Sequence, residues 1–87
     1  MFTGIIQEIG TLTALHKKAA VTILSIQAPR SAQGASVSDS ITINGVCLTV
    51  TRKEKSILLF DAVTPTLVKT NLTALRIGDR INIEPAL

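Results

Sequence analysis

The chain has 87 residues, of which 46% are hydrophobic and 17% are charged, and its formal net charge is +3. This length indicates a single domain over residues 1–87, and the composition excludes a disordered chain, which would combine low hydrophobicity with high net charge. The positive charges are dispersed. The clusters Lys17–Lys18 and Arg52–Lys55 fall where we predict turns, so solvated turn charges are a better interpretation than an anionic partner.

One cysteine, Cys47, and one histidine, His16, exclude an intrachain disulfide and a Cys/His metal cluster. The first residues lack the basic and long apolar segments of a secretory signal, and no apolar run approaches the ~20 residues that span a bilayer. Together with the lone thiol, these features lead us to expect a cytoplasmic protein. His16, beside two lysines, is predicted to be an exposed turn residue.

The first half of the chain is rich in strand signals. A long strand is predicted over residues 4–15, bent at Gly10, and a second over residues 21–26, where β-branched residues dominate. A short helical turn is predicted over residues 29–35. Strands over 40–43 and 46–51 flank Asn44-Gly45, the strongest short hairpin signal, because both turn positions tolerate positive φ.

The second half continues this pattern. An apolar strand is predicted over residues 56–62, and Pro65 is suited to the first turn of another short helix. The turn Ile77-Gly78-Asp79 precedes a last strand over residues 80–84. We detect no internal repeat. Six short strands predict an all-β protein, a small six-stranded Greek-key β-barrel with one or two short helical turns, whose closure removes exposed edges.

Three segments resemble the riboflavin synthase family. Residues 1–6 (MFTGII) are similar to the opening of these enzymes, and residues 44–50 (NGVCLTV) to their central hairpin. Residues 64–67, 70–72 and 77–79 resemble a third conserved region. These segments follow the family's order and spacing and span the whole chain. The chain is therefore identified as a member of the family, similar to the first of the two barrels of the usual chain.

The resemblance implies a reaction. Riboflavin synthase transfers a four-carbon unit between two molecules of 6,7-dimethyl-8-ribityllumazine, giving riboflavin and a ribitylamino-pyrimidinedione, without a metal or redox cofactor. Its active site lies between the first barrel of one subunit and the second barrel of another in a homotrimer. We expect an excised domain, although a natural single-barrel relative stays open. Alone, the barrel should bind ligand, pair into a homodimer and turn over substrate weakly or not at all.

The resemblance also implies a site for a flat bicyclic ring with a polyol tail, which requires main-chain groups, hydroxyls and apolar contacts. Thr49 and Thr66 are the best candidates for hydroxyl contacts, and Ala62 and Val63 for main-chain hydrogen bonds to the pyrimidine edge. The predicted ligand-binding residues are Gly4, Ile5, Ile6, Cys47, Leu48, Thr49, Asp61, Ala62, Val63, Thr64, Pro65 and Thr66. The candidates for a part in the chemistry are Cys47, Ser40, Phe2 and Thr3.

Each of these residues has an ordinary structural alternative. Thr49 is common on strands for packing reasons, Leu48 suits a core, and Asp61 would satisfy a turn at a strand end. Cys47 is either a thiol close to the reacting ring or a buried small hydrophobe. Phe2 is either a group that reaches towards a facing barrel or an apolar plug for the barrel end.

Two other functions compete with the enzyme. A non-catalytic carrier, like the fluorescent lumazine proteins of luminous bacteria, would use the same fold. A small basic barrel could also bind single-stranded nucleic acid, but base stacking needs aromatic platforms. The chain has two Phe and no Trp or Tyr, which disfavours nucleic acid as a partner. No membrane partner is expected.

Overall fold

The computed structural model describes residues 8–63 and 74–85. The six strands close into a barrel in the order β1-β2-β5-β4-β3-β6, with every neighbouring pair antiparallel. The predicted Greek-key barrel and the predicted helix over 29–35 are confirmed, whereas the helix predicted from Pro65 lies outside the described residues. The elements are β1 (Glu8–Lys18), β2 (Val21–Gln27), α1 (Pro29–Gly34), β3 (Ser40–Ile43), β4 (Val46–Glu54), β5 (Ile57–Val63) and β6 (Arg80–Pro85).

The β3–β4 hairpin has a clear turn signal in the sequence, whereas the β1–β2 hairpin has none. Asn44 and Gly45 have φ of 49° and 85°, as predicted for a two-residue turn between β3 and β4. The β1–β2 hairpin turns instead at Ala19, with φ of 45°. Because no Gly or Asn marks this turn, the first strand was predicted to end too early. His16 is exposed but pairs with Ile23 inside the sheet, so its predicted turn position is wrong.

Most residues of the two charged clusters also lie on strands, although they were predicted to lie in turns. Lys17 and Lys18 end β1, and Arg52 to Glu54 end β4, so these residues lie on strands and not in turns. Arg52 and Glu54 form an exposed ion pair of 2.6 Å, and Lys55 alone of its cluster occupies the turn, with φ of 52°. Their exposure agrees with the interpretation as solvated charges.

The barrel interior is filled with apolar side chains. Residues of β2 and β5 alternate between more and less buried positions, as expected when one face of a sheet packs on a core and the other faces solvent. Ala32 in helix α1, with Ala28 and Ala35 on either side of the helix, belongs to the same core. The largest fully buried side chains are Phe60, Leu12, Leu24, Ile26, Ile41, Ile43, Leu58, Ile81, Ile83 and Val50.

Closure requires the sheet to approach itself closely at Gly10 on β1. A Cβ built on Gly10 would lie 2.7 Å from the carbonyl oxygen of Gln27 and 2.7 Å from Cδ1 of Ile83. Position 10 therefore admits no side chain without movement of the backbone of β2. The register irregularity of β1 falls between Leu12 and Ala14, slightly beyond the predicted bend.

Glu8 ties the start of β1 to helix α1. Its carboxylate accepts hydrogen bonds from the backbone N–H groups of Ser31, at 2.7 Å, and Arg30, at 3.1 Å. These N–H groups lie in the first turn of the helix, where no intrahelical partner exists. Ala28, at the N-cap position, provides no side-chain cap. The Glu8 carboxylate, distant in sequence, therefore caps the amino terminus of α1 in place of a local side chain.

The two halves of the barrel are related by an internal two-fold arrangement. The Thr13 hydroxyl donates to the carbonyl of Ser25 at 3.1 Å, and the Thr51 hydroxyl donates to the carbonyl of Leu59 at 3.2 Å. Each threonine lies at a register irregularity, in β1 and in β4 respectively. The arrangement thus relates β1, β2 and β3 to β4, β5 and β6.

The turns that precede β3 and β6 repeat the same relation. The Asp39 carboxylate accepts from the N–H of Ser36, and the Asp79 carboxylate accepts from the N–H of Arg76, each at 2.8 Å. Ser38 and Gly78 occupy the same place in these turns, with φ of 81° and 97°. Both relations join identical residues, Thr13 with Thr51 and Asp39 with Asp79, so the sequence carries a weak repeat and the expectation of no internal repeat is wrong.

Replacement of Gly10 should test the close approach of the strands. We expect Gly10→Ala to lower the free energy of unfolding by about 1–3 kcal/mol, as overpacking does in a filled core. Gly34→Ala is the matched control, because no atom lies within 4 Å of its Cβ position. Urea denaturation would compare the two variants, and equal stability would refute the steric requirement at position 10.

A second prediction concerns acid. Partial burial raises the pKa of Glu8, but the hydrogen bonds from Ser31 and Arg30 outweigh it and hold the pKa below the ordinary value of 4.5. The ionised form is therefore favoured by folding, and its contribution is present above pH 4.5 and lost as the pH falls through the lowered pKa.

Glu8→Gln should therefore be less stable than the wild type at neutral pH, and the difference should shrink as the pH falls below 4.5 and the carboxylate becomes protonated. Urea unfolding of both proteins at several pH values would measure it. A difference that stays constant with pH would exclude ionised Glu8 as the capping group.

Candidate functional site

A polar strip runs along the outer face of the barrel, across β3, β4 and β5. Ser40 lies opposite Thr49, and Thr42 lies opposite Cys47. Residues Ile41 and Leu48, between these pairs, are buried, so the polar side chains must point outwards. We define the polar strip as Ser40, Thr42, Cys47, Thr49 and Asp61. Four of these five residues were predicted from the sequence as site residues.

The strip crosses a place where two strands separate. The pairing of β4 with β5 extends from Glu54–Ile57 to Val50–Phe60 and stops there. On its other side β5 remains paired with β2 as far as Val63. Thr49 and Asp61 are the next residues after Val50 and Phe60. In the related half of the barrel, the corresponding pair, Thr11 and Gln27, is joined.

The separation leaves main-chain groups of β5 without a ladder partner on the β4 side among the residues the structure describes. Asp61 is exposed and lies inside β5, not at a strand end as predicted, because β5 continues to Val63. Ala62 is fully buried, so its side chain belongs to the core and is not a ligand contact. Val63 is exposed and ends the strand.

Leu48 and Cys47 resolve two of the alternatives left by the sequence. Leu48 packs in the core, as its structural alternative predicted, so a contact with ligand would come from its main chain. Cys47 is a free, exposed thiol, and its interpretation as a buried small hydrophobe is wrong. Its neighbours on the strip are hydroxyls and a carboxylate, and no described side chain of the strip is cationic.

Glu84 belongs to none of the motifs that the sequence carries. It lies opposite Thr42 across the β3–β6 pair, at the outer face. Glu84 Oε2 and Thr42 Oγ1 are both buried without a hydrogen-bond partner in the described part of the chain. The alternation of residues 80–84 predicts an exposed carboxylate here, so the sequence contains no signal for this burial.

A cleft of about 270 Å³ lies beside the strip, between helix α1 and the start of β3. It is close to the lower end of the volumes typical of ligand pockets. Of the predicted site residues that the structure describes, Ser40 alone lines it, so the strip and not the cleft brings those groups together. Its lining residues are Arg30, Ser31, Gly34, Ala35, Asp39, Ser40 and Ile41.

Several predicted site residues lie outside the described residues: Phe2, Thr3, Gly4, Ile5, Ile6, Thr64, Pro65 and Thr66. Within residues 8–63 and 74–85, no three His, Cys, Asp or Glu side chains are grouped in a way that would hold a metal ion. Over the same residues, no helix is long and apolar enough to cross a membrane.

The closed six-stranded barrel and its outward polar strip define a class of small Greek-key barrel that carries its polar groups on the outer wall. A family model described as the lumazine binding domain matches residues 3–86. The chain belongs to the lumazine-binding domain family, which confirms the resemblance drawn from the sequence.

Curated relatives are similar over the whole chain. Riboflavin synthases of Actinobacillus pleuropneumoniae and Bacillus subtilis are each 37% identical over 87 residues, covering 100% of this chain and 40% of theirs. Riboflavin synthase of Mycobacterium tuberculosis is 39% identical over 87 residues, and the match covers 99% of this chain and 43% of that enzyme. The chain therefore spans less than half the length of these relatives.

Solved structures agree on the fold. LumP complexed with riboflavin has a TM-score of 0.90 and 26% identity, covering 98% of this chain and 46% of that one. LumP complexed with 6,7-dimethyl-8-(1'-D-ribityl) lumazine has a TM-score of 0.91 and 25% identity, covering 99% and 49%. LumP has also been solved with flavin mononucleotide.

Proposed function

We propose that the chain is a lumazine- and riboflavin-binding barrel, equivalent to the amino-terminal half of riboflavin synthase. The observation that carries this proposal is the polar strip at the separation of β4 from β5. Hydroxyls, a thiol and main-chain groups lie together there on one outer face. Elsewhere in the barrel each described strand pairs with both of its neighbours. A flat heteroaromatic ring requires such edge contacts.

The ring edge would lie against the main chain of β5. Beyond Phe60 the β4 side of β5 has no ladder partner among the described residues, and Ala62 and Val63 are the candidates we propose for main-chain contacts with that edge. Thr49 supplies a hydroxyl from the opposite strand. Thr66 and residues 4–6 belong to the same proposal, although they lie outside the described residues.

In the parent enzyme, the barrel would hold one of the two lumazines that exchange the four-carbon unit. The lumazine ring itself delocalises the charge of its deprotonated 7-methyl group, so the protein mainly orients the two substrates, and no added cofactor is required. Cys47, Ser40, Phe2 and Thr3 are the residues we propose beside the reacting atoms. A single barrel would hold half of this site, so its turnover would be weak or absent.

A non-catalytic carrier is the second candidate. It is favoured by the LumP structures, which were solved with riboflavin, flavin mononucleotide and the ribityllumazine. The polar strip suits either role, since both begin with ligand binding. We further propose a reducing cytoplasm as the compartment, where an exposed thiol such as that of Cys47 persists.

A fluorescence titration would test binding directly. The purified chain should quench or shift riboflavin fluorescence saturably, and Thr49→Ala should weaken the affinity about fivefold, or about 1 kcal/mol, through loss of one hydrogen bond. Thr11→Ala is the matched control, because Thr11 is related to Thr49 by the internal two-fold arrangement and lies away from the strip.

The outcomes separate three interpretations. Loss of affinity at Thr49 alone supports the strip as the site. Equal effects at Thr49 and Thr11 would point to a general effect on the barrel. Absence of binding by the wild type would contradict the proposed function for the single barrel.

We also propose that the isolated chain forms a homodimer. Four large hydrophobic side chains of the described residues are exposed, and pairing would remove apolar area of these side chains from water. They are Ile9, Val37, Val63 and Ile77. Light scattering at increasing concentration should detect a mass of twice 9.2 kDa. A monomer at every concentration would contradict this pairing.

A further inference from the structure

Glu84 combines two properties that ordinary surface carboxylates do not share. It points to the outer face of β6, yet it is only 7% exposed. Its Oε2 is buried without a hydrogen-bond partner among the described residues. A buried carboxylate without a donor is destabilising, and such groups in proteins are normally paired. An unpaired one indicates that its donor comes from outside the described structure.

Thr42 lies directly opposite Glu84 and has the same property. Its Oγ1 is also buried and unpartnered within the described ranges, and the two residues are registered across the β3–β6 pair. Cys47 is the next residue in this row, opposite Thr42 on β4. The two unpartnered groups are therefore continuous with the polar strip.

The internal two-fold arrangement provides a comparison within the molecule. The pair related to Thr42 and Glu84 is Asn82 and Asn44. There the Oδ1 of Asn44 accepts from the N–H of Asn82 at 2.8 Å, and the Asn44 N–H donates to the Asn82 carbonyl at 2.9 Å. The Asn44 side chain, which corresponds to that of Glu84, is thus satisfied by the main chain of Asn82, whereas Glu84 Oε2 has no partner among the described residues.

We propose that Glu84 and Thr42 bind the polyol chain of the ligand, an inference that rests on the proposed function of the strip. A carboxylate is an acceptor with two oxygens, and a threonine hydroxyl both donates and accepts. This set complements neighbouring hydroxyl groups of a sugar alcohol. It does not complement the carbonyl edge of the ring, which requires donors. Glu84 and Thr42 therefore determine the preference for ligands that carry a polyol.

Two ligands with the same ring system distinguish this contact. Riboflavin carries the ribityl chain, and lumiflavin carries a methyl group at the same ring nitrogen. Glu84→Gln should weaken riboflavin binding about tenfold, because a hydrogen bond to a charged group is lost, and should leave lumiflavin binding unchanged. Thr42→Val should act in the same direction, about fivefold on riboflavin alone.

Glu54→Gln is the matched control. It removes the same charge from an exposed position at the far end of β4 and should alter neither affinity. Urea unfolding of every variant verifies the fold. Thr42→Val should be at least as stable as the wild type, because it removes an unsatisfied buried hydroxyl. If Glu84→Gln does not fold, Thr42→Val decides the question.

The results distinguish the polyol contact from the proposed ligand-binding function of the strip. A selective loss of riboflavin affinity supports the polyol contact. Unchanged riboflavin affinity, or an equal loss for riboflavin and lumiflavin, would overturn it while leaving the strip as a binding site. Failure of the wild type to bind either ligand would overturn the proposed function itself.

Discussion

The closed and filled barrel constrains everything else about this protein. Its interior is occupied by side chains such as Phe60, Leu24 and Ile83, all fully buried, and an eight-stranded barrel already has an interior only wide enough for side chains or one small ligand. Functional groups must therefore lie on the outer wall. The alternation that sends Leu48 inwards sends Cys47 and Thr49 outwards, and this produces the polar strip.

The second constraint is where the wall opens. The β1–β2 and β4–β5 pairings are related by the two-fold arrangement, but the β4–β5 pairing lacks the Thr49–Asp61 step that its counterpart has at Thr11 and Gln27. Main-chain groups become available at the same place where hydroxyls and a thiol are gathered. The β4–β5 ladder of hydrogen bonds is thus interrupted beside the polar strip.

The sequence predicted the strands well because their signals are local. Asn44-Gly45 requires positive φ and adopts it, and the alternation of residues 80–84 places Ile81 and Ile83 in the core. The β1–β2 turn was missed because Ala19 adopts positive φ without a residue type that favours it. Packing of the flanking strands imposes that conformation, and local propensity cannot report it.

The candidate site was predictable only in part. The resemblance indicated Cys47 and Thr49, and the alternation placed them on one face of β4. The separation of β4 from β5 depends on pairing between distant strands, so no local pattern encodes it. Glu84 illustrates the same limit. A glutamate that alternates with buried isoleucines is predicted to be exposed, and its burial is visible only once β6 is placed beside β3.

The two-fold arrangement has a consequence for how such a barrel can arise and diverge. Every strand pairing in the first half has its equivalent in the second, and the β2–β5 and β3–β6 contacts each join related strands. Two copies of a half-length peptide could therefore form the same closed sheet. Fusion of such copies frees the sequence of each face to change independently. Ile9 and Cys47 occupy related positions, and one face has kept an apolar residue where the other carries a thiol.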